Sequence, residues 1–228
     1  MKLVLGTSKW NDKKVGFQLL DLWAKSGYSQ VDTATNYPID LNPAHFRLSE
    51  NIIAQWLKLN QGSDLKINVK IGSINNFRTP ENDLSPNYIN SQAKYYIDLF
   101  QNNLECLMIH WDNRSDINEI QETISNLNSW NIPIGFSGIT DLEIYSKIIN
   151  FPVRFQVKYS KLNEYLKYFD STIHDYYVYR VNEFTENYED GIRNAWKDDR
   201  IAGLLIGPKN EGQLINTLLT IKELTYQK

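Results

Sequence analysis

Eight short β-rich runs alternate with amphipathic stretches along the whole sequence, and this alternation limits the fold more than any other feature. The candidate strands are residues 2–5, 29–32, 66–71, 105–110, 133–136, 154–158, 175–180 and 202–206. Each leads into a stretch able to form a helix. Leu48, Ile52, Ile53, Trp56 and Leu57 share one face, as do Ile117, Ile120, Ile124 and Leu127, with the spacing of a helix packed on one side. Residues 214–224 close the series as an eighth helix. Strands that alternate with helices form parallel sheets. Eight units in 228 residues come to about 28 residues each, near the lower end for a (β/α)8 barrel. An open doubly wound sheet is the alternative, but a dinucleotide-binding one usually has a Gly-rich turn after its first strand. Here that turn reads Gly6-Thr7-Ser8-Lys9-Trp10, without G-x-G-x-x-G. The expectation is an α/β chain folded as a single (β/α)8 TIM barrel domain over residues 1–228.

Local chemistry marks several element ends. Ser26-Gly27 ends the first helix, because glycine accepts the left-handed conformation at a helix C-terminus. Thr140-x-x-Glu143 reads as a capping box and Ser115-x-x-Asn118 as a weaker N-cap. Repeats, low-complexity segments and linkers are absent. The longest irregular stretches, 37–46 and 72–85, both follow strands. In a barrel they fall on the C-terminal face, where sites are built, as substrate-facing loops or as plain connections.

Composition narrows the partners. A formal charge of −3 and a pI near 5.7 oppose binding to nucleic acid or an anionic membrane surface. The single cysteine excludes an internal disulfide, and Cys106, in the apolar run 104–109, reads as a small buried hydrophobe. Three histidines far apart in sequence offer no zinc set, so no metal is expected. The N-terminus lacks a signal peptide's apolar run, and no segment approaches the roughly 20 apolar residues of a membrane span. A soluble cytoplasmic protein is the expectation; oligomeric state leaves no mark in the sequence.

The strand ends carry the chemistry. Strand two ends in Val31-Asp32-Thr33-Ala34, with Tyr37 five residues beyond Asp32. Strand three ends in Val69-Lys70-Ile71-Gly72 and strand four in Met108-Ile109-His110-Trp111. Barrel topology brings these neighbouring ends to one side of the mouth. Each residue also has an ordinary reading: Asp32 as a turn cap or a structural partner of Lys70, His110 as a core histidine, Tyr37 as one tyrosine of 14. Together they form an acid catalyst. A free phenol, with a pKa near 10, gives up its proton reluctantly, and a nearby ammonium lowers that value. Asp32 would hold Lys70 charged, and His110 would orient and polarise a carbonyl oxygen. None of the set is a strong nucleophile as it stands, so the hydride must come from a cofactor.

At these residues the chain resembles the aldo-keto reductase family. Gly27-Tyr28-Ser29-Gln30-Val31-Asp32-Thr33-Ala34-Thr35-Asn36-Tyr37 is similar to its second-strand signature, and Ser49-Glu50 to the Ser-Glu that follows. Val69-Lys70-Ile71 and Leu107-Met108-Ile109-His110-Trp111 are similar to the strands carrying its lysine and histidine. The resemblance implies a catalytic tetrad of Asp32, Tyr37, Lys70 and His110, and reduction of a small carbonyl substrate with NADPH, or NADH, bound across the mouth. It places Ser137 and Gln156 at the nicotinamide carboxamide and Arg180 against the nicotinamide ring. Gly6 and Thr7 fall along the cofactor, while Gly207, Lys209 and Gln213 fall at its adenosine-phosphate end. Trp10, Trp111 and the loop 39–46 would line the substrate pocket.

Four departures from the family pattern accompany the resemblance. Gly138 stands where an Asn usually follows Ser137, and Asn216-Thr217 replaces a Glu-Asn pair. The stretch 182–191 after strand seven is acidic, which is unfavourable beside a pyrophosphate. The chain is also short and lacks the family's extended C-terminal substrate loop. These leave two other readings open: a non-catalytic nucleotide-binding regulatory barrel, and a lyase or isomerase using Lys70 as a Schiff-base amine.

Overall fold

The protein is described by a computed structural model covering all residues except 78–80, 186 and 227–228. Eight parallel strands close into a barrel in sequence order, the eighth pairing with the first. They are β1 (Lys2–Gly6), β2 (Gln30–Ala34), β3 (Lys66–Ile71), β4 (Leu104–Asp112), β5 (Ile134–Ile139), β6 (Arg154–Lys158), β7 (Asp175–Tyr179) and β8 (Gly203–Ile206). The helices are α1 (Lys13–Lys25), α2 (Leu48–Leu59), α3 (Pro86–Phe100), α4 (Ile117–Asn128), α5 (Leu142–Ile148), α6 (Leu162–Tyr165), α7 (Tyr188–Lys197) and α8 (Glu211–Tyr226). This is the expected (β/α)8 TIM barrel.

The apolar core lies between the strands' outward faces and the helices. Val31, Val69, Leu107 and Phe155 point outward to meet Leu19, Trp23, Ile53, Ile89 and Ile124. The barrel lumen, by contrast, is markedly polar. Side chains two apart in a strand share a face, and Asp32, Asn68, Lys70, Arg154 and Gln156 are all buried, Arg154 bonded to Asn68 and the other three to one another. Tyr177 fits the lumen because β8 offers Gly203 opposite it; a Cβ there would stand 2.3 Å from the tyrosine ring.

Element ends differ from expectation in informative ways. Gly27 does adopt the left-handed conformation after α1, at φ +80°. The caps of α4 and α5 are Asp116 and Asp141, one residue beyond the expected Ser115 and Thr140. The Asp116 carboxylate accepts the backbone N–H groups of Asn118 and Glu119, whereas the Thr140 hydroxyl turns back to the Asp112 carbonyl at 2.7 Å. β5 continues through Ser137 and Gly138 to Ile139 instead of stopping at Phe136, so both residues are strand, not loop. Residues 78–80 of the stretch 72–85 and Glu186 of the acidic stretch lie outside the described residues.

Candidate active site

Register carries the four candidate catalytic side chains to the C-terminal ends of adjacent strands. Asp32 and Lys70 are inward-facing residues of β2 and β3, His110 is inward on β4, and Tyr37 follows β2 by one turn of loop. All four are buried, Tyr37 being 8 % exposed. Lys70 Nζ donates to Asp32 Oδ2 and, at 3.2 Å, to Gln156 Oε1. The same ammonium lies 4.8 Å from the centre of the Tyr37 ring. The His110 ring meets Tyr37 edge-on, centroids 5.6 Å apart, and Ser73 Oγ lies 3.4 Å from His110 Nδ1. A Ser73 hydroxyl donating there leaves the imidazole proton on Nε2.

The electrostatics depart from the simplest expectation. Burial raises the pKa of the Tyr37 phenol above 10; the Lys70 charge pulls it back and Asp32 pushes it up again. The sequence suggests a lowered value because it reveals the ammonium but not the depth of burial, and burial penalises the phenolate more. Tyr37 therefore stays a protonated phenol throughout the neutral range. Burial also opposes the charge on Lys70, but Asp32 and then Tyr37 outweigh it and lift its pKa above that of a free lysine. A permanently charged Lys70 is a poor Schiff-base amine, since imine formation needs the neutral form.

Burial, and then the Lys70 charge, hold the His110 pKa well below 6.5. Its folded state refuses a proton that the unfolded chain accepts below about pH 6.5, so stability present above that pH is lost as the pH falls. Thermal unfolding between pH 7 and pH 5 should show this loss. His110→Gln should reduce the slope, and His174, lowered in the same direction, adds to it.

The loop carrying Tyr37 is anchored from beneath. Arg47 Nε donates to Glu50 Oε1 at 2.7 Å and Arg47 Nη2 to the Tyr96 hydroxyl and Gln92 Oε1, each at 3.1 Å. Tyr96 donates to the second Glu50 oxygen. Thus Glu50, fully buried, has both oxygens satisfied, and Ser49 beside it donates to the Thr7 carbonyl at 3.0 Å. Asn76 ties this loop to the one after β3, its Nδ2 donating to the Asn42 carbonyl at 2.6 Å. The two joined loops hold exposed apolar side chains: Ile39, Leu41, Ile74 and Phe77. Trp111 is half-buried beside them, its ring 4.2 Å from that of His110.

The remaining candidates are placed unequally. Ser137 is buried at the mouth, close to Tyr179. Gly138 packs so tightly on β4 that a Cβ would stand 3.0 Å from the Trp111 Cβ and 3.2 Å from the His110 carbonyl oxygen. An asparagine of the family pattern would press on these neighbours, which would have to give by a few tenths of an ångström. Gly6 is similarly close to β8, whereas a Cβ on Gly207 would meet nothing within 4 Å. The Thr7 hydroxyl donates to Thr33 at 3.0 Å. Lys209 is exposed at the start of α8, where Gln213 Oε1 accepts its backbone N–H at 2.8 Å and so folds back on its own helix.

Two residues do not join the mouth as expected. The Arg180 side chain is 62 % exposed and pairs with Glu183 at 3.6 Å, because its backbone turns left-handed and ends β7 one residue early. Tyr179, not singled out from the sequence, instead stands near Lys70 and Ser137 with its pKa raised by burial. The two-residue alternation of β7 inward from Tyr177 was the available signal. Trp10 is 1 % exposed and lies close to Gly16, so its ring presents almost no surface to a pocket. Gln156 is 1 % exposed, its amide bonded to Lys70 and Asp32. The acidic residues Glu189 and Asp190 occupy the first turn of α7, where carboxylates favour the helix start and an anionic ligand is disfavoured.

Among the described residues no cluster of three or more His, Cys, Asp or Glu side chains could hold a metal ion. No described helix is long and apolar enough to cross a membrane. The sequence model of the aldo/keto reductase family matches residues 2–183, well over half the chain. Two solved structures from Pseudomonas aeruginosa, each described as a candidate aldo-keto reductase, superpose with TM-scores of 0.75 and 0.72. They share 17 % and 18 % identity with this chain, covering 98 % of it and 90 % of their own length. At such identity the likeness speaks for the fold. No curated protein sequence matches the chain.

Proposed function

Because the chain belongs to the aldo/keto reductase family, we propose that it reduces a small aldehyde or ketone to the alcohol, using NADPH, or NADH, with Tyr37 as proton donor. The observation that carries this reading is the buried group of Asp32, Lys70, Tyr37 and His110 at one end of the barrel. A bound nicotinamide cofactor supplies the hydride. The mouth fits such a group in part. Tyr179 offers a ring at its wall, Ser137 a hydroxyl, Gly207 open space and Lys209 a cation at the start of α8. These residues would hold it.

The chain's own chemistry runs as follows. Neutral His110 donates from Nε2 to the carbonyl oxygen and orients it. Tyr37, kept protonated by burial, passes its proton to that oxygen as negative charge develops there. Lys70, held charged by Asp32, stabilises the phenolate left behind. The apolar rim of Ile39, Leu41, Ile74 and Phe77 receives the rest of the substrate and excludes water. Phe77→Asp should raise KM for an apolar aldehyde such as hexanal about tenfold, with kcat little changed, since the residue contributes binding shared by ground and transition states. An unchanged KM in steady-state assays would remove Phe77 from the substrate wall.

A second reading, a non-catalytic nucleotide-binding regulatory barrel, is favoured by the outward Arg180, the acidic start of α7 and Gly138. Titrating the protein with NADPH and with NADH, then adding an aldehyde, separates the two. Binding followed by cofactor oxidation supports the reductase; binding without turnover across a carbonyl panel supports the regulatory barrel; binding of neither cofactor removes both. Residues 1–228 are taken as one domain, for which a single cooperative unfolding transition is expected.

A further inference from the structure

Besides its own turn to Ala34, the backbone around Tyr37 is tied to the start of α2 by two hydrogen bonds. The Arg47 N–H donates to the Thr35 carbonyl at 3.1 Å, and the Ser49 N–H donates to the Tyr37 carbonyl at 3.2 Å. A shift of that first turn of α2 therefore carries the phenol with it. Arg47, which opens the turn, has a left-handed backbone at φ +67°. A residue with a Cβ is strained there, glycine is not, and such strain persists only where the surroundings fix it.

What fixes it is one polar face of α3. Tyr88, Gln92 and Tyr96 are spaced by four and so line one side of that helix. Arg47 Nη2 donates to Gln92 Oε1 and to the Tyr96 hydroxyl, each at 3.1 Å. Its Nε donates to the buried Glu50 at 2.7 Å, and the second Glu50 oxygen accepts from Tyr96. These bonds close a ring through α2 and α3, and the guanidinium also lies 4.2 Å from the centre of the Tyr95 ring. At the other end of the stripe the Tyr88 hydroxyl donates to the Ser73 carbonyl at 3.4 Å, which also accepts from Thr35 Oγ1 at 3.1 Å. Ser73 carries the hydroxyl beside His110. One face of α3 thus touches the supports of both Tyr37 and His110.

We propose that Arg47 is a positioning residue: it pins the first turn of α2 to α3 and so sets where Tyr37 stands relative to His110. Among the described residues its side-chain hydrogen bonds run only to Glu50, Gln92 and Tyr96, so it acts through the backbone of the loop and not on a ligand. The catalytic consequence rests on the reductase reading above; the geometric one does not.

The test uses the full chain with Arg47→Gly, which relieves the left-handed backbone but deletes the guanidinium. The double variant Arg47→Gly/Glu50→Gln also removes the buried charge left behind, and so folds if the single variant does not. In the cofactor-free protein, NMR follows amide hydrogen exchange at Ser49 and at Leu107, whose N–H bonds Pro133 in the barrel wall. Exchange at Ser49 should accelerate about tenfold more than at Leu107, as the turn opens locally. Equal acceleration at both marks a general loss of stability and overturns the proposal, as does an unchanged Ser49. With NADPH and an aldehyde, kcat per bound cofactor should fall about tenfold, because a small displacement of the proton donor costs the chemical step heavily. The carbonyl KM should stay within about threefold, as expected for a residue that does not touch the substrate. A raised KM with kcat intact overturns the proposal. Should the wild-type chain turn over no carbonyl, the reductase reading falls, and the exchange at Ser49 against Leu107 alone still decides whether Arg47 fixes the Tyr37 loop.

Discussion

Tyr37→Phe is expected to lower carbonyl turnover by about 10²–10⁴-fold, the range associated with a positioned general acid, while NADPH binding stays near the wild-type value. The ring remains, so its edge contact with His110 and its place under the Lys70 ammonium are kept, and only the transferable proton is removed. Single-turnover rates and fluorescence titration, measured side by side, separate the chemical step from binding. Turnover retained in this variant would sink the proposed mechanism. The direction of the Tyr37 pKa adds a second expectation. Because burial pushes it above 10, no loss of activity from phenol ionisation should appear between pH 7 and pH 10.

Lys70→Met should cost about 3–5 kcal/mol of stability, because it strands the buried Asp32 carboxylate without its charged partner. For a chain of this size that corresponds to a fall in Tm of roughly 10 °C. Pairing it with Asp32→Asn removes the stranded charge and should restore a good part of the loss, yet leave turnover abolished. Calorimetry on the two single variants and the double variant measures this coupling directly. Purely additive losses would mean that the pair does not interact as the geometry requires.

Much of the site is legible from local sequence. Asp32, Lys70 and His110 could be placed together because each ends a strand, consecutive strands are neighbours in a parallel barrel, and strand ends gather at one mouth. Arg180 and Tyr179 show where that logic reaches its limit. They are adjacent residues, and which one faces the mouth depends on whether β7 stops at 179 or 180, a matter of one residue of backbone. Trp10 illustrates a different limit. The sequence shows a large aromatic beside a strand end, but the space left by Gly16 lets its ring be buried.

What the sequence by itself determined is the alternation, and with it the closed barrel, the order of its strands and the four side chains offered at one end. These follow from periodicity and from topological rules that need no distant contact. Only the tertiary structure decided how those side chains behave. It made the lumen polar, joined Gln156 to Asp32 across 124 residues of chain and turned the net effect on Tyr37 from lowering to raising its pKa. The physical reason is that desolvation and hydrogen-bond partnership are set by everything packed around a group, and that packing comes from elements far apart in the sequence.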